Sequence, residues 1–158
     1  MLSWYNNNSS YYIIQLSKGK ILINNLIEDE LYCELKKDFL GNIYGALILH
    51  QNNKDYLYTT SAKADINIWD LYEKKISKII YINSFLVHII KWNNKYCIVG
   101  DYTNKSFRII DIEKNEIVGN MGGKDKRPLT CVKKAYHPIY GESLLTVSWD
   151  KNINLWSI

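Results

Sequence analysis

The sequence has few prolines, few arginines and no long apolar run. Only two prolines occur among 158 residues, which excludes a proline-rich extended chain. The longest apolar stretches, such as "SFLVHII", fall far short of the roughly 20 residues that a membrane-spanning helix needs. The start of the chain also lacks the basic and apolar segments of a secretory signal. We therefore expect an intracellular protein, cytoplasmic or nuclear, without a membrane span.

Cysteine is scarce, and its spacing excludes the common metal sites. Cys33, Cys97 and Cys131 form no Cys-x-x-Cys pair, and the three histidines have no metal-ligand spacing with them or with one another. Each cysteine stands in an apolar, strand-like context. The pattern predicts buried free thiols in a reducing compartment, with no metal and no cofactor.

Motifs for catalysis are also missing. The sequence contains no nucleophile elbow and no dinucleotide fingerprint. The stretch "VGNMGGKD" has Val118 where a phosphate loop requires its first glycine, and Asp125 would repel a phosphate. The acidic cluster at 28–30 is explained by a solvated turn. We predict that the protein is not an enzyme and has no catalytic residues.

The positive charge is modest and is nearly all lysine. The formal net charge is +4, from 20 Lys and Arg against 16 Asp and Glu, and the two signs are interspersed as on an ordinary solvated surface. Only Arg108 and Arg127 could make the arginine contacts typical of base recognition. The densest basic segment runs from Lys124 to Lys134. Binding of nucleic acid or anionic lipid through this segment is our alternative function.

Strand-forming residues dominate what remains. The apolar runs are four to eight residues long, are β-branched or aromatic, and are broken by Asn, Asp, Gly and Lys, which favours short strands over helices. Near the C-terminus, Leu144–Val147 predicts a strand, Trp149–Asn152 a tight turn and Ile153–Trp156 a second strand. The fold class predicted is all-β.

The same order of strands and turns recurs four times, with a period of about 44 residues. The positions that match at the end of the first strand are Trp4, Leu49, Trp92 and Tyr136. Those that match in the third strand are Ile23, Ile68, Ile109 and Leu155. Two further strand-like runs complete each period, so one period holds four strands, as one blade of a β-propeller does. We divide the single domain, 1–158, into segments of approximately 1–27, 28–71, 72–112 and 113–158.

Two of these segments, "LLTVSWDKNINLWSI" and "LYTTSAKADINIWDL", resemble the WD40 repeat, with its small-residue strand, its Ser-x-Asp turn and its terminal Trp-Asp. The resemblance implies WD40-type β-propeller blades, each a four-stranded antiparallel sheet, in an incomplete, open propeller of about three and a half repeats. In the family a third-strand Trp, a second-strand Ser or Thr, a turn Asp and a His form a hydrogen-bonded set. The structural residues implied here are Ser61, Trp69, Asp70, Ser148, Asp150 and Trp156, with Lys63 at one Asp position.

The resemblance also implies a function. WD40 propellers tend to receive partners on the face that carries the turn between the second and third strands, and an exposed tryptophan is a common binding hot spot. We expect Trp149, with Thr103, Lys126 and Arg127, to contact a partner; the alternative for Trp149 is packing on a neighbouring loop. The function predicted is a non-catalytic protein–protein interaction scaffold that presents peptide- or domain-binding loops.

The number of repeats leaves three arrangements open. The chain is a piece of a longer propeller, or a half-propeller that pairs with a copy of itself or another chain, or a small four-bladed ring. An open arrangement exposes apolar faces and strand edges, which favours association. The partners expected are therefore other proteins, either peptide segments or subunits of a complex, and include the missing half of the propeller.

Overall fold

The computed structural model describes residues 1–6, 10–17, 20–36, 41–62, 65–122 and 128–157, and every helix or strand in these ranges is a β-strand. The strands form four antiparallel sheets, and in each sheet the strands follow one another in chain order. The prediction of an all-β chain built from successive antiparallel sheets is confirmed. Since the described residues form no helix, none of them forms an apolar helix long enough to span a membrane.

Sheets 1 and 2 have four strands each. Sheet 1 contains β1 (Leu2–Tyr5), β2 (Tyr11–Ser17), β3 (Lys20–Asn25) and β4 (Glu30–Lys36). Sheet 2 contains β5 (Ile43–Gln51), β6 (Lys54–Ser61), β7 (Asp65–Asp70) and β8 (Lys75–Tyr81). Asn52 and Asn53 link β5 to β6 with φ values of 47° and 62°. Asparagine tolerates this left-handed backbone, so two residues suffice to reverse the chain.

Sheet 3 also has four strands, whereas three are described for sheet 4. Sheet 3 contains β9 (Leu86–Lys91), β10 (Tyr96–Asp101), β11 (Ser106–Asp111) and β12 (Glu116–Gly122). Sheet 4 contains β13 (Leu129–His137), β14 (Gly141–Ser148) and β15 (Ile153–Ser157). The strand, turn and strand predicted from Leu144 to Trp156 are therefore confirmed as the β14–β15 hairpin.

Three apolar cores lie between consecutive sheets. Side chains alternate across each strand, so one face of a sheet packs on the preceding sheet and the other on the following sheet. Sheets 1 and 2 meet through Trp4, Ile14, Ile23, Leu57 and Trp69. Sheets 2 and 3 meet through Tyr58, Ile66, Ile68, Ile89 and Val99. Sheets 3 and 4 meet through Ile98, Phe107, Val132 and Leu144. Among the described residues no such core joins sheet 4 to sheet 1.

Residues from the first strands of all four sheets line a common cavity of about 400 Å³, which we call the axial cavity. Gly45 lies where β5 meets β9. A Cβ atom at this position would be 2.8 Å from the hydroxyl oxygen of Thr60 and 2.9 Å from the backbone nitrogen of Ile89. The absence of a side chain therefore allows the two first strands to approach closely.

The second and third strands pair in the same register in all four sheets. The equivalent cross-strand pairs are Ile14–Ile23, Tyr58–Ile68, Ile98–Ile109 and Leu145–Leu155. The matching third-strand residues of the sequence repeat are thus structurally equivalent. In sheets 1 and 2 the pair is buried under the following sheet, whereas in sheet 4 Leu155 is 40% exposed and its neighbour Ile153 is 70% exposed. Sheet 4 therefore presents an apolar face to solvent.

Candidate functional site

One end of the sheets, which we call the upper end, carries the turns between second and third strands and the beginnings of the first strands. Because strand direction alternates within each sheet, the β10–β11 turn with Thr103 and the β14–β15 turn with Trp149 lie at this end. The beginnings of β5, β9 and β13 lie there too. Two of the residues predicted to contact a partner, Thr103 and Trp149, therefore share one end of the molecule. We call the opposite end the lower end.

A pocket of about 290 Å³ opens at the upper end, between sheets 2, 3 and 4. Three aromatic rings form a row along it: the ring centroid of Phe85 lies 4.7 Å from that of Tyr44 and 4.9 Å from that of Tyr102. The remaining lining residues are Val87, His88 and Thr130. A mainly apolar wall with a few polar groups is typical of ligand-binding pockets. We call this feature the aromatic pocket.

A buried carboxylate holds the turn that supplies Tyr102. Asp101, the last residue of β10, accepts hydrogen bonds from Ser84, from the amide groups of Asn104 and, at 2.8 Å, from Nε of Arg108. Burial by itself would raise the pKa of Asp101. The hydrogen bonds from Ser84, Asn104 and Arg108 outweigh burial and hold the pKa below its usual value. The β10–β11 turn is thereby fixed to the segment that begins β9.

Two further bonds fix Phe85 against the same turn. The backbone N–H of Tyr102 donates to the carbonyl of Phe85 at 2.8 Å. The backbone N–H of Phe85 donates to the hydroxyl oxygen of Thr103 at 3.0 Å. Thr103, predicted as a partner contact, thus holds the backbone of Phe85 in the aromatic pocket.

His88 supplies the one titratable imidazole of the aromatic pocket. Burial lowers its pKa, the nearby positive charge of Lys133 lowers it further, and a backbone hydrogen bond with Thr130 only partly opposes both. The imidazole is therefore neutral at pH 7. The residues described around the pocket include no carboxylate, so an uncharged ligand group suits it.

Trp149 lies in the β14–β15 turn, as predicted, and its side chain is 63% exposed. Its backbone N–H donates to the carbonyl of Pro128 at 3.1 Å. In the same turn the hydroxyl of Ser148 donates to Asp150, whose carboxylate also accepts the N–H of Asn152 at 2.9 Å. The turn is held by its polar residues, and the indole is left at the surface.

The basic residues do not form one described surface. Lys126 and Arg127 lie outside the described residues. Lys133 and Lys134 are consecutive in β13 and so point to opposite faces of sheet 4. The ammonium group of Lys134 already has partners within the protein: its Nζ lies 2.7 Å from Glu142 and donates to the carbonyl of Trp92 at 3.0 Å. In the described part of the Lys124–Lys134 segment, only Lys133 presents an exposed lysine without such an ion pair.

The structure identifies the hydroxyl that each of the two tryptophans binds. Trp69 donates to Thr59 at 2.9 Å, not to Ser61, and Trp156 donates to Thr146 at 2.8 Å, not to Ser148. Each Thr stands two residues before the predicted Ser and on the same strand face, within reach of the indole.

The two serines bind turn carboxylates instead. Ser61 donates to Asp65 at 3.2 Å, and Ser148 donates to Asp150. Lys63, taken from the sequence as the residue at this Asp position, lies outside the described residues. Asp70 closes the β7–β8 turn: its Oδ1 accepts the N–H groups of Tyr72 and Glu73, and its Oδ2 accepts Nζ of Lys54 at 3.0 Å.

The three histidines occupy separate places. His50 lies at the lower end, where its Nδ1 is 2.8 Å from Asp55. His137 accepts the N–H of Ile139 in the β13–β14 turn at 3.2 Å. Within the described ranges, no three His, Cys, Asp or Glu side chains come together as a metal-binding group. The described residues that line the axial cavity include no Asp, Glu or Cys.

The sequence analysis missed Tyr44, Phe85 and Tyr102. They belong to three segments that are distant in the chain, and 13% of the sequence is aromatic, so none of them stands out. Their position in the sequence was the one available signal, because each of these aromatic residues lies beside a connection between strands at the upper end. Comparison with models of known protein families and with curated protein sequences finds no match to this chain.

Proposed function

We propose that the four sheets are blades of an incomplete WD40-type β-propeller, and that the chain is a non-catalytic scaffold for protein–protein interactions. The chain-order sheets, their common register and the axial cavity bordered by all four first strands support the assignment. The Trp–Thr bonds of sheets 2 and 4 add to it. A rigid β framework that presents side chains from its turns is suited to recognition.

The aromatic pocket is the observation that carries the binding function. Its walls are held by the bonds of Asp101 and Thr103, so little side-chain and loop entropy remains to be lost when a ligand enters. Trp149 stands at the same end, and Thr130 of the pocket donates to the carbonyl of Val147, two residues before it. Tyrosine and tryptophan are the residues most often found as interface hot spots.

The chemistry of the pocket indicates the kind of peptide it binds. Aromatic walls and a neutral imidazole favour a bulky apolar side chain as the anchor. The upper-end carboxylates of Asp101 and Asp150 are engaged in hydrogen bonds within the protein. Lys133 and Lys151 are exposed. We therefore infer a peptide with an apolar anchor and acidic residues beside it.

Two observations support the proposal that the chain is not a catalyst and that it lies inside the cell. The described lining of the axial cavity contains no carboxylate that could pair with His88 or Lys133 in general acid–base chemistry, which favours binding over catalysis. Cys33, Cys97 and Cys131 are free thiols, and burial raises the pKa of Cys97 to about 12. Cys33 and Cys131 are half-buried, so the prediction of buried thiols holds only for Cys97. Free thiols fit a reducing compartment, and we place the protein inside the cell.

Selection of random linear peptides on the immobilised chain, followed by calorimetry with the selected peptide, tests this function. We expect Tyr102→Ala and Trp149→Ala each to weaken binding at least about tenfold, as loss of a hot-spot aromatic does. The matched controls are Tyr136→Ala and Tyr140→Ala, which remove lower-end side chains that are 77% and 60% exposed. These controls should bind the peptide as the unmodified chain does.

Two outcomes would contradict the proposal. Unchanged affinity in both upper-end variants would overturn the proposed site. Binding of an oligonucleotide or an anionic vesicle with a steep dependence on salt, in place of peptide binding, would favour the basic-segment function instead.

A further inference from the structure

The aromatic pocket and the axial cavity share two lining residues, Tyr44 and His88. Gly45 brings these two residues together, because a Cβ atom on it would lie only 3.0 Å from the Cα atom of His88. The strands β5 and β9 therefore approach closely where Tyr44 and His88 stand. The pocket and the cavity adjoin each other at these two residues.

The axial cavity has one charged side chain in its described lining, that of Lys133 on β13. Among the described residues its ammonium group has no ion pair, whereas the neighbouring Lys134 is paired with Glu142. Burial and the positive charge of Lys133 both lower the pKa of His88, so this charge acts on the wall that the two voids share. The described linings contain no Asp or Glu. A positive charge without a described counter-charge thus stands beside the aromatic pocket.

The adjoining voids favour an apolar side chain and a carboxylate that branch from one residue of the ligand. In an extended peptide, successive side chains point to opposite sides, so an acidic residue next to the apolar anchor would point away from it. A C-terminal residue carries its side chain and its carboxylate on the same Cα atom. Its carboxylate can therefore enter the cavity while its side chain fills the pocket.

We propose that the aromatic pocket and the axial cavity together bind the C-terminus of a partner polypeptide that ends in an apolar residue, such as Leu or Phe. The side chain of this residue fills the aromatic pocket, and its carboxylate pairs with the ammonium group of Lys133. The exposed Trp149 at the same end offers a contact to the preceding residues of the partner. This inference rests on the proposed binding function and identifies the acidic group beside the anchor as the terminal carboxylate.

Pairs of synthetic peptides that differ only at the C-terminus test the role of the carboxylate. An array of peptides of varied sequence, attached through their N-termini, is made once with free carboxylates and once with carboxamides, and is probed with the full chain. The peptides retained should be free acids that end in Leu or Phe. The best of them and its carboxamide are then titrated by calorimetry. We expect the carboxamide to bind at least about tenfold more weakly, because it loses the ionic hydrogen bond to Lys133.

Variants of the full chain locate the charge that binds the carboxylate. Lys133→Met should weaken binding of the free acid at least about tenfold and leave binding of the carboxamide unchanged. Lys133→Arg keeps the charge and should bind the free acid more tightly than Lys133→Met does. Lys151→Met is the matched control, since Lys151 is an exposed lysine of the β14–β15 turn outside the described lining of both voids. It should bind both peptides as the unmodified chain does.

Equal affinity for the free acid and the carboxamide, or an equal loss for both in Lys133→Met, would overturn this inference. If Tyr102→Ala still weakened binding in that case, the aromatic pocket would stand as a peptide site and only the role of the terminal carboxylate would fall. Absence of binding by every peptide in both forms would overturn the inference together with the proposed function. Competition by N-acetylphenylalanine as strong as that by the peptide would assign the site to a small acid and would also overturn it.

Discussion

Trp69 donates its indole N–H to the hydroxyl of Thr59 at 2.9 Å, and both side chains are almost completely buried. Trp156 makes the same bond with Thr146 at 2.8 Å, ten residues earlier in the chain, but remains partly exposed. The same pair of residue types thus supports the third strand of sheet 2 and of sheet 4, with different access to water. Because one indole is buried and the other is partly exposed, removing each bond in turn measures how much burial adds to its contribution to stability.

Thr59→Val should lower the free energy of unfolding by about 1–3 kcal/mol, because it keeps the side-chain shape and leaves a buried indole N–H without an acceptor. Thr146→Val should cost less, about 1 kcal/mol or under, since water can reach Trp156. Urea unfolding of both variants tests which of the two loses more unfolding free energy. Equal losses at the two positions would contradict it.

The strands were predictable from the sequence because their apolar runs are short and separated by turn-forming residues. The stretches "KISKIIYI" and "FLVHIIKW" became β8 and β9, and "EIVGNM" became most of β12. The hydroxyl partner of each tryptophan was not predictable in this way. Ser61 and Thr59 share a strand face, so periodicity cannot distinguish them, and only the reach of the indole across the sheet selects Thr59.

Acid should destabilise the β10–β11 turn through Asp101. Hydrogen bonds hold its folded pKa below the value of about 4 expected in the unfolded chain. As the pH falls the unfolded state therefore binds the proton first. The stability that Asp101 contributes is complete above about pH 4 and is lost as the pH falls through the lower folded pKa.

Asp101→Asn tests this linkage. The variant should be less stable than the unmodified chain at neutral pH, and the difference in unfolding free energy should shrink below about pH 4. Urea unfolding across this range measures it. A difference that stays constant down to the lowest pH at which both proteins fold would show that the charge of Asp101 contributes nothing.

Gly45→Ala should disturb the contact between β5 and β9. The new Cβ would lie 2.9 Å from a backbone nitrogen of Ile89, which cannot move without shifting β9. We expect a loss of about 1–3 kcal/mol in thermal or urea unfolding, as for other overpacked positions. Gly119→Ala is the control: its Cβ would meet only the flexible side chain of Ile109, at 3.3 Å, and should cost less. A Gly45→Ala variant as stable as this control would contradict the close approach of the first strands.

Trp149→Ala should leave the free energy of unfolding within about 0.5 kcal/mol of the unmodified value, because a mostly exposed side chain contributes little packing. The same urea titration measures this. A loss of several kcal/mol would show instead that Trp149 packs on a neighbouring loop, and would remove it from the binding surface.

The site was less predictable than the fold. The position of Trp149 in the β14–β15 turn was predictable, because the residues that form this turn are consecutive in the sequence. The aromatic pocket, by contrast, joins Tyr44, Phe85 and Tyr102 from two different sheets and the connection between them. Their proximity depends on how the sheets pack around the axial cavity, which no local pattern encodes.

Chemical-shift mapping of the full chain with the selected peptide tests the central claim most directly. The claim is that the aromatic pocket at the upper end receives an apolar side chain of a partner. The largest shifts are predicted for Tyr44, Phe85, Tyr102 and the indole of Trp149, with the lower-end residues Tyr136 and Tyr140 unchanged. Shifts confined to the lower end, or to the outer strands β4, β8 and β12, would contradict it.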